Sequence, residues 1–296
     1  MNTGTTNDSQ ITHVSDTALW VAVYRAIESK RKDALFHDAY AETLAGERGK
    51  QIVENMRHGK TGAWSMIVRT AVMDEFIHRV IKEDNVDTVV NLAAGLDARP
   101  YRMDLPSSIK WIEVDFSDMI SYKEERLSDA KPRCSLERVK LDLIDSDARK
   151  RLFDRINAES RRVMVITEGL LVYLREEEVT ALAADLHGQA NFRWWIMDIL
   201  SPVMLDWMKR SSFKHFTEGA ARMQFAPEEA AGFFGPYGWT AYEVRSVVKE
   251  AWRLKREPAL GWLFRFFKPL IPKNRREIIS NMDSYLVMLK RNATLV

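Results

Sequence analysis

The chain is poor in cysteine, in long apolar runs and in charge of one sign. A single cysteine, Cys134, in 296 residues excludes an intrachain disulfide framework and a cysteine-rich zinc site, and points to a reducing, cytoplasmic setting. No stretch reaches the roughly 18 apolar residues that a membrane-spanning helix needs. Residues 1–16 have neither the basic start nor the apolar run of a signal peptide. Lys and Arg total 44 against 42 Asp and Glu, a net charge of +2, so bulk charge gives no reason to expect a nucleic acid or an acidic partner. No repeat, low-complexity tract or Pro/Gly-rich linker divides the chain. Hydrophobic residues, by contrast, make up 46%, enough for the core of one large α/β domain.

Residues 1–14 are polar and read as a flexible terminus, followed by one domain over 15–296. After Asp16, Leu19, Val23, Ala26 and Ile27 recur at helical spacing; 37–46 reads as a second helix and 64–82 as a third, with Ile67, Met73, Phe76, Ile77 and Val80 on its apolar face. From 86 the rhythm changes. Short apolar runs at 86–92, 109–114, 138–141, 162–167 and 192–200 alternate with helical patterns at 118–127, 148–157 and 176–186. Strands at 239–248 and 285–290 complete the pattern, and Trp194 and Trp195 read as core within theirs. The expected fold is α/β: a doubly wound, mostly parallel seven-stranded sheet with N-terminal helices (15–82), a core (86–200), a helical insertion (201–238) and C-terminal strands (239–296).

The strongest chemical signal is the run from Val89 to Asp97, VVNLAAGLD. A strand entering a turn of small residues lets backbone approach a ligand at the strand's carboxyl end. Twenty positions beyond Gly95, Asp115 ends the next strand, where a carboxylate can accept both hydrogen bonds of a ribose diol. The pair implies a nucleoside-containing cofactor. A nicotinamide dinucleotide asks for a glycine triplet around its pyrophosphate, whereas here Ala93 takes a glycine position and only Gly95 survives. S-adenosylmethionine has no phosphate and suits the weaker pattern. Asp142 and Leu143, ending the third strand, suit the amine and face of an adenine ring. Glu168, leaving an apolar strand, suits the cofactor's ammonium end.

The runs NLAAGLDAR (91–99), EVD (113–115) and TEGLLVYL (167–174), with RAIES (25–29), HDAYA (37–41) and VRT (68–70), resemble the leucine carboxyl methyltransferase family. The likeness runs from about residue 17 to 200. It implies a Rossmann-like methyltransferase that uses S-adenosyl-L-methionine. It further implies that Arg69 grips the cofactor carboxylate, assisted by Arg25, that Ala93 and Gly95 line the methionine portion, that Asp115 holds the ribose, Asp142 and Leu143 the adenine, and Glu168 the ammonium region. Two departures are Ala93, where the family has glycine, and Ala39, where it often has proline.

No histidine–acid pair sits at a motif position, so the expected acceptor is a carboxylate or an acidic hydroxyl, which needs no strong base. Tyr173 and His215 are the candidates for acting on a hydroxyl. The insertion at 201–238 carries many large apolar groups, which suit either a lid over an apolar or aromatic small molecule or a helical core. Carboxyl methylation of a protein C-terminus, a nicotinamide-dependent oxidoreductase and a non-catalytic cofactor-binding protein are the competing readings. Residues 249–276 hold nine basic residues against two acids, interleaved with aromatics. They read as a helix packed on the sheet with its cations reaching water, or as a docking element for a membrane surface or a partner.

Overall fold

The computed structural model describes residues 14–55, 59–210, 222–257 and 282–292. Seven strands form one sheet: β1 (Thr88–Leu92), β2 (Lys110–Asp115), β3 (Ser135–Lys140), β4 (Val163–Thr167), β5 (Phe192–Leu200), β6 (Trp239–Ser246) and β7 (Ser284–Arg291), in the order β3-β2-β1-β4-β5-β7-β6. The first five run parallel. β7 runs antiparallel to both of its neighbours. The order reverses between β1 and β4, and such a switch point opens a crevice beyond the strand ends.

Successive side chains on a strand point to opposite faces, and here both faces are covered. Val90, Ile112, Val165 and Trp195 pack against α6 (Ser146–Glu159), α7 (Glu176–Gly188) and the 3-10 segment Ala230–Tyr237. Val89, Trp111, Met164 and Trp194 pack against α3 (Gly59–Asp84) and α9 (Val247–Arg253). Trp194 and Trp195 are thus core residues of opposite faces, their indole N–H groups donating to Asp84 and Thr167 at 2.6 and 2.9 Å. A further apolar cluster joins α1 (Val14–Ser29), α2 (Ala41–Asn55) and the start of α3 to Leu205 of α8 (Pro202–Arg210). This layer lies over the strand ends rather than on a sheet face.

Several boundaries differ from the sequence reading. α2 starts at Ala41 rather than 37, because Asp38 is held by Arg25 and accepts the Tyr40 N–H, which fixes a turn there. It continues past a left-handed Gly46 (φ 58) to Asn55. β3 starts at Ser135 rather than 138. β6 stops at Ser246, whose hydroxyl accepts the Lys249 N–H and caps α9 where a strand was expected to run on to 248. A one-turn helix, α4 (Arg99–Arg102), led by Pro100, follows the β1 turn, and a helix α5 (Ser117–Arg126) follows β2.

Of the basic segment 249–276, residues 249–257 lie within the described part. Arg253 reaches Glu75 of α3, and Arg256 is buried against Glu28 at 2.8 Å. Of the insertion 201–238, α8 lies beside the strand-end layer, whereas Phe234 is buried against Trp195 with ring centroids 5.0 Å apart. Among the described residues, no helix is long and apolar enough to cross a membrane.

Candidate active site at the strand ends

A cavity of about 890 Å³ opens beyond the carboxyl ends of β1, β2, β3, β4 and β5. Arg25, Arg69, Ala93, Gly95, Asp115, Asp142, Leu143, Glu168 and Tyr173 all line it. The sequence therefore brings together every candidate within the described residues. His215 lies outside them.

β1 ends in a turn with two left-handed residues, Ala93 (φ 53) and Gly95 (φ 46). For Ala93 that conformation costs on the order of 1 kcal/mol. At Gly95 a side chain would also press on Ala18 of α1, its Cβ 3.3 Å from the alanine's. The Gly95 N–H donates to Asp115 at 2.6 Å, and the Phe116 N–H donates to the same carboxylate at 2.7 Å. Burial nevertheless raises the Asp115 pKa above the ordinary carboxylate value, because these two bonds only partly offset the lost solvation. Phe116 and Ile144 stay 42% and 59% exposed on the cavity wall beside Asp115 and Asp142. Apolar side chains held in water at a cleft mouth are well placed to cover a flat ring. Asp142 itself is exposed and accepts the Ile144 N–H at 3.0 Å.

The deeper wall is a chain of charges. Arg69, projecting from α3, donates through Nε to Glu168 at 2.9 Å and through Nη1 to Asp198 at 3.0 Å. Asp198 sits within β5 and also accepts the Gly169 N–H at 2.6 Å. Gly169 is left-handed (φ 66), and a Cβ there would lie 3.2 Å from the Arg69 guanidinium, so the close approach requires glycine. Arg99 donates to Glu168 at 2.7 Å, to Asp97 at 2.7 Å and to Asp74 at 2.6 Å. Burial pushes the Glu168 carboxyl up, but the charges of Arg99 and Arg69 outweigh it and hold the pKa below the ordinary value. Asp97 is held well below its usual range, with the Arg99 charge leading the effects that oppose burial. Glu168 is thus an ionised, fixed acceptor at neutral pH.

Arg25 is engaged behind the turn: Nε donates to Asp38 at 2.9 Å and Nη2 to the Leu96 carbonyl at 2.5 Å. It braces the loop that carries Gly95. Burial raises the Tyr173 pKa, against an opposing hydrogen bond from Thr17, so its hydroxyl keeps its proton at neutral pH.

Four residues of the charge chain carried no role in the sequence reading: Asp74, Asp97, Arg99 and Asp198. Asp97 and Arg99 lay in the motif but look like surface groups by type. Asp198 gave a usable signal: it is the one acid in the apolar run of β5, and a carboxylate in a buried strand needs partners. On the other side, towards α1, α3 and α8, the wall turns apolar, with Trp20, Trp64, Met66, Met204, Trp207 and Met223.

Comparison with known proteins fits this architecture. The model of the leucine carboxyl methyltransferase family matches residues 18–187, more than half of the chain. A Parafrankia protein named for an inferred S-adenosyl-L-methionine-dependent methyltransferase activity is 33% identical over 183 residues, which span 58% of each chain. A similarly named Streptomyces avermitilis protein is 29% identical over 242 residues, 76% of this chain and 82% of its own. Two crystal structures share the fold with TM-scores of 0.59. One is a DUF574 family protein from Streptomyces avermitilis, 12% identical, covering 92% of this chain and 96% of its own. The other is an inferred methyltransferase from Thermobifida fusca, 14% identical, covering 97% of each. The match over residues 18–187 contains the β1 turn, Asp115, Asp142 and Glu168 together, and the chain belongs to the leucine carboxyl methyltransferase family.

Proposed function

We propose that this S-adenosyl-L-methionine-dependent methyltransferase places its methyl group on an oxygen, a carboxylate or acidic hydroxyl, of a small apolar or aromatic molecule. The observation that carries the reading is one continuous cavity with two unlike ends: ionised and hydrogen-bonding groups at the strand ends, tryptophan and methionine side chains beyond them.

The residues present suit the methyl donor. It has a carboxylate, an ammonium, a ribose diol and an adenine, and no phosphate. Arg69 supplies the cation for the carboxylate. Glu168 and Asp198 supply acceptors for the ammonium, and Asp115 supplies two carboxylate oxygens for the diol. Asp142 and Leu143 meet the adenine, Ala93 and Gly95 line the methionine portion, and Arg25 steadies the turn from behind. When bound, the donor supplies a sulfonium-activated methyl group. The protein's own work is to orient an acceptor oxygen and exclude water. A carboxylate acceptor is ionised at neutral pH and needs no base. For a hydroxyl acceptor, the protonated Tyr173 can donate a hydrogen bond that orients it.

The test is isothermal titration with S-adenosylhomocysteine, followed by methyl transfer from labelled donor to a panel of aromatic acids, phenols, amines and a peptide with a free C-terminus. Micromolar binding and O-methylation of the aromatic acids or phenols are expected. Methylation of the amines alone, or of the peptide alone, would overturn the acceptor assignment. Absence of any binding would overturn the cofactor roles as well.

A further inference from the structure

Arg99 is 2% exposed, yet it lines the cavity. Its guanidinium joins three parts of the site that come from distant stretches of chain. Nε reaches Asp74 on α3, the helix that also carries Arg69. Nη1 reaches Asp97 in the β1 turn and Glu168 after β4. Asp97 is doubly fixed, since it also accepts the Arg99 backbone N–H at 2.9 Å and the Asn91 amide at 2.8 Å. The remaining nitrogen, Nη2, is buried with no partner among the described residues. An unmet buried donor costs about 1–3 kcal/mol, so stability alone does not favour an arginine here. Its planar fork is what lets one side chain hold three carboxylates.

We propose that Arg99 is the positioning residue of the methyl-donor site, setting Glu168 and the Asp97 turn in register with Arg69. The proposal rests on the reading that Glu168 and Arg69 hold the donor's amino-acid end. Arg69 grips Glu168 by one oxygen and Arg99 by the other, so the carboxylate can neither rotate nor take up a proton easily. The groups facing Glu168 are Arg69 from α3, Arg99 from α4, Asp97 from the β1 turn, and Asp198 of β5 through Arg69. Without Arg99, burial and the Asp97 charge are opposed by Arg69 alone. Glu168 then takes up a proton at a higher pH than in the wild type.

The test is S-adenosylhomocysteine titration of the wild type, Arg99→Met and Arg99→Lys across about pH 5 to 8, with urea unfolding to verify each fold. In Arg99→Met, affinity at neutral pH falls about tenfold, the scale of one charge-assisted hydrogen bond. The ratio of variant to wild-type affinity falls further as the pH drops, and adding Glu168→Gln removes that pH dependence. Taking the ratio cancels titration elsewhere, including Asp115. Arg99→Lys keeps the charge and loses the fork: it gives a smaller loss with a flat ratio, and it carries the test alone if Arg99→Met does not fold. A ratio that is unchanged at every pH in a folded Arg99→Met, or an Arg99→Lys equal to the wild type, overturns the positioning role and leaves the donor-site reading intact. Failure of the wild type to bind overturns that reading, and this proposal with it.

Discussion

At the strand ends, the cavity wall is held by carboxylates and guanidiniums that each serve two or more partners: Glu168 between Arg69 and Arg99, Asp198 between Arg69 and the Gly169 N–H. Towards α1, α3 and α8, the same cavity is bounded by Trp20, Met66, Met204 and Trp207, whose attractions are mostly undirected. Charge-assisted hydrogen bonds fix direction as well as distance. Thioether side chains are unbranched and polarizable and adapt their rotamers to what they meet. The first kind of wall fits a ligand that never changes. The second kind suits the acceptor of the proposed function, whose shape it can follow.

The contrast breaks most severely at Asp74. Its carboxylate pairs with both Arg99 and Arg102, at 2.6 Å each, and both guanidiniums are almost fully buried. Asp74→Ala leaves two cations without their shared partner, which is expected to cost about 3–5 kcal/mol, read as a lowered urea midpoint. The pH dependence sharpens the point. Asp74, Asp97 and Glu168 are all held below ordinary carboxylate values, by arginine charges that outweigh burial. Their contribution to stability is fully present above the ordinary range and is lost as the pH falls through their folded values. Asp115 and Asp283 are raised, burial being the leading cause, and work in the opposite sense: the native state takes up their protons first, so stability due to them falls as the pH rises through the window between ordinary and folded values. The acid loss is expected to be shallower in Asp74→Ala than in the wild type. An equally steep loss would show that the ion-paired end does not govern acid stability.

At Asp115 the effect moves from folding to binding. Asp115→Ala is expected to weaken S-adenosylhomocysteine by at least about tenfold, or 1.4 kcal/mol, in isothermal titration. Because the pKa is raised and the diol prefers the ionised acceptor, wild-type affinity declines as the pH falls through that raised value, and this decline disappears in the variant. Unaltered affinity in Asp115→Ala would remove the ribose role.

The same contrast decides what could be read from sequence. The strand-end residues Gly95, Asp115, Asp142 and Glu168 sit at fixed offsets from apolar runs, because the fold requires each at the end of a particular strand. Arg69 was legible through its motif. Arg99 was not: its function comes from Asp74, 25 positions earlier, and Glu168, 69 positions later, and nothing local marks that meeting. The alternation of runs specified the sheet and its mostly parallel order. Boundaries were lost where a side chain rather than a propensity sets them, as at Asp38 before α2 and Ser246 before α9. On the apolar wall, tryptophans and methionines at helical spacing look alike whether they face a core or a ligand, so the side proposed to meet the acceptor is the less legible one.

The smallest effect is expected on that adaptable side. Met204 lines the cavity from α8 and is partly buried. Met204→Ala removes roughly two to three methylene equivalents of contact, about 1 kcal/mol once neighbouring side chains close in. An acceptor found in the aromatic panel should then show a KM raised about fivefold, with kcat changed less. S-adenosylhomocysteine affinity should stay within about twofold of the wild type, because the ion-paired end holds its shape independently. Equal loss of both ligands would mean that α8 supports the whole cavity and that the two walls are one unit. Loss of neither would move the acceptor away from α8, towards the Val247 and Ser284 side of the cavity.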